Sequence, residues 1–190
     1  REGHELRIEN FTLKTEPLST LLWHRDVEGN SVAIANFDSP TTRLVIDSEV
    51  IIQQHNEAPL DFMVADYAIF YPFAYQPDDK VLLSPYMASS GHEAINAVNK
   101  WIATFWKPNE QIQTYTLLQR LAAQINKTMS YQVREEPGVQ TAWQTLFLKN
   151  GSCRDFALLF MEAARCLGLA SRFVSGYLHA PLMSHKIGTT

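Results

Sequence analysis

Cys153 is the residue whose type and position could best support covalent chemistry. It follows Asn150, Gly151 and Ser152, which are typical of a turn and a helix N-cap, and it precedes apolar residues at helical spacing. The pattern predicts a buried helix that begins at Cys153. Unpaired N–H groups and the positive end of the helix dipole favour a thiolate there, and the same N–H groups could stabilise an oxyanion. Spacing alone leaves open whether Cys153 is a nucleophile or a small structural cysteine.

The other functional side chains of this helix have simpler interpretations. Cys166 lies late in the helix, where the dipole opposes a thiolate, so we interpret it as structural. Asp155 lies in the first turn, where a carboxylate stabilises the helix, and we favour that role over a direct part in catalysis. Arg154 could pair with Asp155 or another acidic group, and we assign it no substrate. Gly168 predicts a left-handed end of the helix.

The elements before this helix fall into two kinds. Residues 31–37 alternate in polarity, residues 42–52 are rich in β-branched side chains, and turn signals occur at 28–30 and 38–40. Turns at this spacing favour a sandwich over a βαβ arrangement. We therefore predict a β-rich domain over residues 1–58.

Prolines and aromatic residues dominate the next segment, residues 59–90. Its prolines exclude a long helix. We interpret the segment as a connector whose rings pack against neighbouring bodies, in preference to an aromatic ligand cradle. From Gly91 onwards the pattern predicts amphipathic helices over about 95–105 and 112–129, an extended piece at 130–134 and a short helix over 140–148.

Composition excludes several classes of function. The chain has 190 residues, of which 46% are hydrophobic, with 16 Lys and Arg against 20 Asp and Glu. The chain lacks a basic stripe that could neutralise phosphates, so binding to nucleic acid is not expected. No apolar run approaches the roughly 20 residues of a membrane span. Two cysteines cannot form a disulfide framework. The first 20 residues lack the pattern of a signal peptide, but the sequence starts at Arg1, which leaves a processed start open. We expect a cytoplasmic protein without membrane contact.

Two motifs resemble the bacterial transglutaminase-like family. Gly151-Ser-Cys-Arg-Asp-Phe-Ala157 is similar to the family pattern G-V-C-R-D-F-A, with Ser152 in place of Val. Arg165-Cys-Leu-Gly-Leu-Ala-Ser-Arg-Phe-Val-Ser-Gly-Tyr-Leu178 is similar to R-x-L-G-I-P-A-R-Y-V-S-G-Y-L, with Ala170-Ser171 in place of Pro-Ala. Segments that begin at His4, Asp26 and Ser39 resemble the family's β-rich domain.

The resemblance implies an α+β fold. An antiparallel β-sandwich-like N-terminal domain would precede the helical half of a papain-like transglutaminase core over residues 91–190, with Arg172–Leu178 as the first strand of its sheet. It also implies a Cys–His–Asp mechanism in which Cys153 attacks an amide carbonyl and forms a thioester. The expected function is a cysteine-dependent peptidase, amidase or acyl transferase that acts on peptide or protein substrates without a cofactor or metal.

The general base is the part that the resemblance does not locate within the chain. In the family the histidine and aspartate follow the cysteine on later strands, which implies that both lie beyond Thr190 and that the catalytic core is truncated here. His179 and His185 are weaker candidates for the base, because neither has the family's sequence context. The remaining histidines are interpreted as structural or exposed: His4, His24, His55 and His92.

Two alternatives differ in chemistry. A catalytically idle relative could serve peptide binding or assembly, and replacement of the family histidine and aspartate would favour it. Cys153, His179 and His185 could instead gather a metal. Metal sites need three or four ligands at coherent spacing, so we expect no metal here.

Overall fold

The chain divides into two compact units, Arg1–Met63 and Val64–Thr190, called unit 1 and unit 2 below. The computed structural model describes residues 6–55, 62–89, 91–108 and 110–176. Unit 1 consists of strands, and unit 2 is mainly helical with short strands. The predicted α+β class is confirmed.

Unit 1 contains two antiparallel two-stranded sheets. Its strands are β1 (Leu6–Glu16), β2 (Thr20–Arg25), β3 (Ser31–Asn36) and β4 (Val45–Gln54). β1 pairs with β4, and β2 pairs with β3. β4 begins later than predicted because the Thr41 hydroxyl donates to the Arg43 carbonyl and accepts from the Arg43 N–H, which forms a local turn.

The turn between β2 and β3 explains the motif that begins at Asp26. Asp26 Oδ1 accepts hydrogen bonds from the backbone N–H groups of Glu28 at 2.9 Å and Asn30 at 2.8 Å. Side-chain and backbone hydrogen bonds from Asn30 lower the pKa of Asp26. Gly29 has a φ of 74°, a conformation that favours glycine. The predicted turn at 28–30 is confirmed.

Unit 2 consists of five α-helices and four two-residue strands within the part that the structure describes. The helices are α1 (Pro77–Met87), α2 (His92–Ile102), α3 (Thr114–Thr128), α4 (Ala142–Leu148) and α5 (Cys153–Cys166). The strands are β5 (Phe70–Tyr71), β6 (Ile112–Gln113), β7 (Ser130–Tyr131) and β8 (Asn150–Gly151). β5 and β6 pair antiparallel, whereas β7 and β8 pair parallel. None of the described helices combines the length and hydropathy that a bilayer crossing needs.

α5 lies at the centre of unit 2, where it packs against α2, α3 and α4. Five apolar side chains of this core are fully buried: Val98, Leu117, Leu121, Leu159 and Ala163. Full burial of a Val or Leu side chain contributes about 1.5–3 kcal/mol relative to exposure. The core therefore holds α5, including its first turn, in one position.

The proline-rich segment differs from its prediction. It contains the 11-residue helix α1, which tolerates Pro77 because a proline at the first helical position sacrifices no intrahelical hydrogen bond. Two aromatic residues that precede α1, Tyr71 and Phe73, belong to the core of unit 2 or pack against it. Tyr71 is buried, its ring packs edge-on against Trp106, and its hydroxyl donates to the Leu167 carbonyl at 2.7 Å.

α5 ends as predicted. Gly168 has a φ of 77°, and the Leu169 N–H donates to the Ala164 carbonyl at 2.8 Å, which is typical of a left-handed helix end. The C-terminal turn thus reverses the chain directly after the buried helix.

The predicted strand Arg172–Leu178 does not form in its described part, residues 172–176; Tyr177 and Leu178 lie outside the described residues. A strand requires a backbone partner, and none of the paired strands in the described part of the chain includes residues 172–176. The residue just before them contacts a helix. The Ser171 N–H donates to the Tyr86 carbonyl of α1 at 3.0 Å.

Candidate active site

Cys153 occupies the first position of α5, and its side chain is exposed. Ser152 is the buried N-cap residue with an extended backbone. The predicted start of the helix is therefore confirmed. This position directs a free thiol to solvent at the helix end where unpaired N–H groups and the dipole favour negative charge.

Asp155 is completely buried beneath this exposed thiol. Its Oδ1 accepts from Arg134 Nη1 at 2.7 Å and from the Gln140 N–H at 2.8 Å. Its Oδ2 accepts from the Ser152 N–H and the Ser152 hydroxyl, both at 2.8 Å. Burial alone would raise the pKa of Asp155, but these hydrogen bonds outweigh it and lower the pKa to about 2.

This carboxylate links the first turn of α5 to a distant stretch of chain. The Arg134 side chain is only 15% exposed and forms an ion pair with Asp155. Arg154 adds a second link, because its guanidinium donates to the Glu136 carbonyl at 2.9 Å. Asp155 thus has the structural role that its helix position favours, extended by partners outside the helix. Arg154 contacts backbone carbonyl groups in residues 134–136.

Gly151 makes the close packing of this turn possible. A Cβ atom at this position would lie 2.9 Å from Asp155 Cβ, 3.2 Å from Asp155 Oδ2 and 3.3 Å from Phe156 Cε1. The first distance is shorter than a Cβ contact normally allows. Glycine is therefore required by the close approach of residue 151 to the buried carboxylate.

Tyr131 lies beside the strand that leads into α5, a position that sequence analysis missed. β7 pairs with β8 so that Tyr131 lies opposite Gly151. The pKa of Tyr131 is raised, first by the negative charge of the Cys153 thiolate, then by burial and by a hydrogen bond with Cys153. Arg134 and Gln140 were also missed. Two-residue strands and loop positions carry no periodicity, so no pattern in the sequence marks these residues.

Cys166, the second thiol, lies at the opposite end of α5 and is half-buried. Burial raises its pKa, and the nearby carboxylate of Glu162 raises it further. Both effects disfavour a thiolate. The two cysteines therefore differ in exposure and in electrostatic surroundings.

The histidines are distributed differently from the thiols. His24 lies in β2 and His55 follows β4, both in unit 1. His92 begins α2, but its side chain is not described. Three histidines lie entirely outside the described residues: His4, His179 and His185. In the described part of the chain no group of three or more His, Cys, Asp and Glu side chains could hold a metal ion.

An open apolar groove runs beside α5. Its volume is about 400 Å³, and it is lined by Ala122 and Ile125 of α3, by residues 172–174 and by one face of α5. Phe156 and Ala157 belong to this lining and lie three and four residues after Cys153. Because such spacings share a helix face, the groove begins one turn from the thiol.

Two family models match different parts of this chain. Residues 107–187 match the transglutaminase-like superfamily, and residues 1–53 match the bacterial transglutaminase-like N-terminal region. The chain belongs to the bacterial transglutaminase-like family. Its motif around Cys153 lies within the first match, and the Asp26 turn lies within the second.

The fold of this family member is similar to that of a proposed cysteine protease from Cytophaga hutchinsonii, solved by crystallography. The TM-score is 0.62 at 14% sequence identity, and the match covers 89% of this chain and 56% of that chain. The chain thus spans little more than half the length of that structure. The likeness confirms the predicted helical half of a papain-like core preceded by strands. Among proteins of curated function, none matches the chain significantly.

Proposed function

We propose that the protein is a cysteine-dependent peptidase or amidase, or an acyl transferase, in which Cys153 is the nucleophile. The observation that carries the proposal is the exposed thiol at the first position of the central helix, in a turn that the fully buried and hydrogen-bonded carboxylate of Asp155 holds in place. The family and the fold support a papain-like cysteine-dependent enzyme. The substrate class that suits this chemistry is a peptide or protein.

In the proposed reaction the Cys153 sulfur attacks the carbonyl carbon of an amide. A sulfur–carbon bond forms while the carbonyl oxygen takes up negative charge, which N–H groups at the start of α5 could stabilise. The carbon–nitrogen bond then breaks, and the nitrogen takes a proton and leaves as an amine or ammonia. Water or a second amine attacks the resulting thioester, which releases the acyl group and restores the thiol.

The proposal places the histidine base and its carboxylate partner outside the described residues, as the family pattern implies. Asp155 is not that carboxylate, since its two oxygens already accept from Arg134, Gln140 and Ser152. Its proposed contribution is to fix the turn that presents the thiol. We favour hydrolysis over amine transfer, because water is the default acceptor unless a site excludes it.

The test compares peptide and amide hydrolysis by the full-length protein, its Cys153→Ala variant and a Cys166→Ala control. Loss of a nucleophile typically costs about 10³-fold or more in rate, so Cys153→Ala should be inactive. Cys166→Ala should keep most of the activity. Activity that survives in Cys153→Ala would refute the proposal. An inactive parent whose Cys153 reacts like an ordinary thiol would favour the peptide-binding alternative.

A further inference from the structure

The loop of residues 132–139, between β7 and α4, is attached to the start of α5 at both of its ends. The Gln132 N–H donates to the Gly151 carbonyl at 2.9 Å. Directly after the loop, the Gln140 N–H donates to Asp155 Oδ1 at 2.8 Å. Gly151 lies two residues before the candidate nucleophile and Asp155 two residues after it. The ends of the 132–139 loop are therefore fixed to both sides of the turn that presents the thiol.

Two arginines attach the middle of the loop as well. Arg134 belongs to the loop, and its Nη1 donates to both oxygens of Asp155, at 2.7 and 2.9 Å. Arg154, the residue after the thiol, donates from Nη2 to the Glu136 carbonyl at 2.9 Å. Hydrogen bonds from charged donors are stronger than neutral ones. Together with the bonds at the two ends, these contacts hold the loop beside the first turn of α5.

Two apolar side chains of the 132–139 loop are exposed. Val133 keeps 65% of its accessible surface and Val139 keeps 47%. The hydrophobic core of unit 2 is built from other side chains. A single exposed apolar side chain needs no explanation on a protein surface, but apolar side chains beside a reactive group are typical of a ligand site. The position of these valines therefore points to contact with whatever reaches the thiol.

The charges of the loop favour the same interpretation. Arg134 is only 15% exposed, it forms an ion pair with Asp155, and its Nε lies 3.6 Å from Glu136 Oε2. The positive charge of the loop is thus used within the protein. Glu135 is exposed, so a cationic side chain of a peptide is the competing ligand.

We propose that the 132–139 loop forms one wall of the substrate-binding site, where Val133 and Val139 contact an apolar side chain of a peptide substrate. The inference rests on the proposed function, because the bound peptide must reach the sulfur of Cys153. It assigns a preference for apolar residues to this loop. Arg134 and Arg154 then have the task of holding the wall against the turn that carries the thiol.

The experiment compares the chloromethyl ketones of N-acetyl-leucine, N-acetyl-glycine and N-acetyl-lysine as alkylating reagents for the full-length protein. In each reaction the cysteine sulfur displaces chloride, so no knowledge of the natural substrate is needed. Peptide mapping gives the rate at Cys153, and urea-unfolded protein gives the intrinsic ratio of the reagents. The native parent should exceed the intrinsic leucyl-to-glycyl ratio by about tenfold, the lower end of what an apolar contact contributes in a specificity pocket.

Val133→Thr and Val139→Thr keep nearly the same side-chain shape and replace one methyl group with a hydroxyl. Each should lower the leucyl-to-glycyl ratio by about two- to fivefold, less than in an enclosed pocket because the loop covers only one side of the ligand. Val27→Thr is the matched control and should leave the ratio unchanged, since Val27 is fully exposed and lies in unit 1. Iodoacetamide, which has no such side chain, should alkylate Cys153 at one rate in all these proteins. Melting curves establish that each variant is folded.

Equal leucyl-to-glycyl ratios in the native and the unfolded parent would overturn the inference, and this comparison needs no variant. A ratio that both loop variants leave unchanged would also overturn it. A native preference for the lysyl reagent would assign the wall to the Glu135 carboxylate instead, which again contradicts the inference. The proposed function fails on a separate reading, in which iodoacetamide alkylates native Cys153 no faster than unfolded Cys153.

Discussion

Replacing Asp155 with asparagine perturbs the one buried carboxylate that organises the first turn of α5. Asparagine has nearly the same shape, but it carries no charge and presents an NH₂ group where a carboxylate oxygen stood. Two oxygens of Asp155 now accept from Arg134, Gln140 and Ser152. At one of these contacts the new NH₂ group would face an N–H or O–H donor of a partner, so that hydrogen bond would be lost. Arg134 would also lose its buried counter-ion.

The magnitude follows from the pKa of Asp155 and from its burial. The pKa falls from 3.8 to about 2, and at 1.36 kcal/mol per unit this shift corresponds to about 2 kcal/mol of stability near neutral pH. Breaking a buried ion pair from one side typically costs about 3–5 kcal/mol. Because Arg134 keeps 15% of its side-chain exposure, we expect Asp155→Asn to cost about 2–4 kcal/mol.

The pH dependence gives this prediction a second signature. Since the folded state lowers the pKa of Asp155, its contribution is complete above pH 4 and is lost as the pH falls from about 4 towards 2. The parent protein should therefore lose stability over that interval. Asp155→Asn should lack this part of the pH dependence.

Urea unfolding, followed by tryptophan fluorescence at pH 7 and pH 3, measures both quantities. Asp78→Asn is the control, because Asp78 is also a first-turn carboxylate, in α1, but is exposed. Its replacement should change the free energy of unfolding by less than about 0.5 kcal/mol. A loss below about 1 kcal/mol for Asp155→Asn, or an unaltered pH dependence, would refute the assigned role of the buried carboxylate.

Two further substitutions test the packing around α5. Gly151→Ala should destabilise unit 2 by about 1–3 kcal/mol and slow alkylation of Cys153, since the new Cβ would lie 2.9 Å from Asp155 Cβ. Urea unfolding measures the loss of stability. Gly176→Ala is the neutral control, because a Cβ at that position would have no atom within 4 Å. Glu162→Gln should cost about 3 kcal/mol in the same assay, because Glu162 is 1% exposed and accepts from Arg165 at 2.9 Å, and a cost near zero would contradict this account.

The start of α5 could be predicted from the sequence because its signals are local. Asn150, Gly151 and Ser152 are turn and N-cap residues, and the apolar spacing after Cys153 defines the buried face of the helix. The turn after Asp26 is local in the same way. The Asp26 carboxylate and Gly29 lie within a few residues of each other, so the residue types alone predict the turn that the structure shows.

The partners of the first turn could not be predicted, because they depend on contacts between distant segments. Arg134 reaches Asp155 only because β7 and β8 pair in parallel, and two-residue strands are too short to show any periodicity. The same pairing places Tyr131 opposite Gly151. Helix α1 was missed for a different reason, since its two prolines are typical of a broken helix: Pro77 takes the first helical position, but Pro85 lies inside the helix.

Cys153 is proposed to be an activated nucleophile, and selective labelling of the two thiols measures that activation. Limiting iodoacetamide is added to the native protein at pH 7, and peptide mapping gives the rate at each thiol. In the native protein Cys153 should react at least about tenfold faster than Cys166, and it should also react faster than Cys153 in urea-unfolded protein. Equal rates for native and unfolded Cys153 would contradict it.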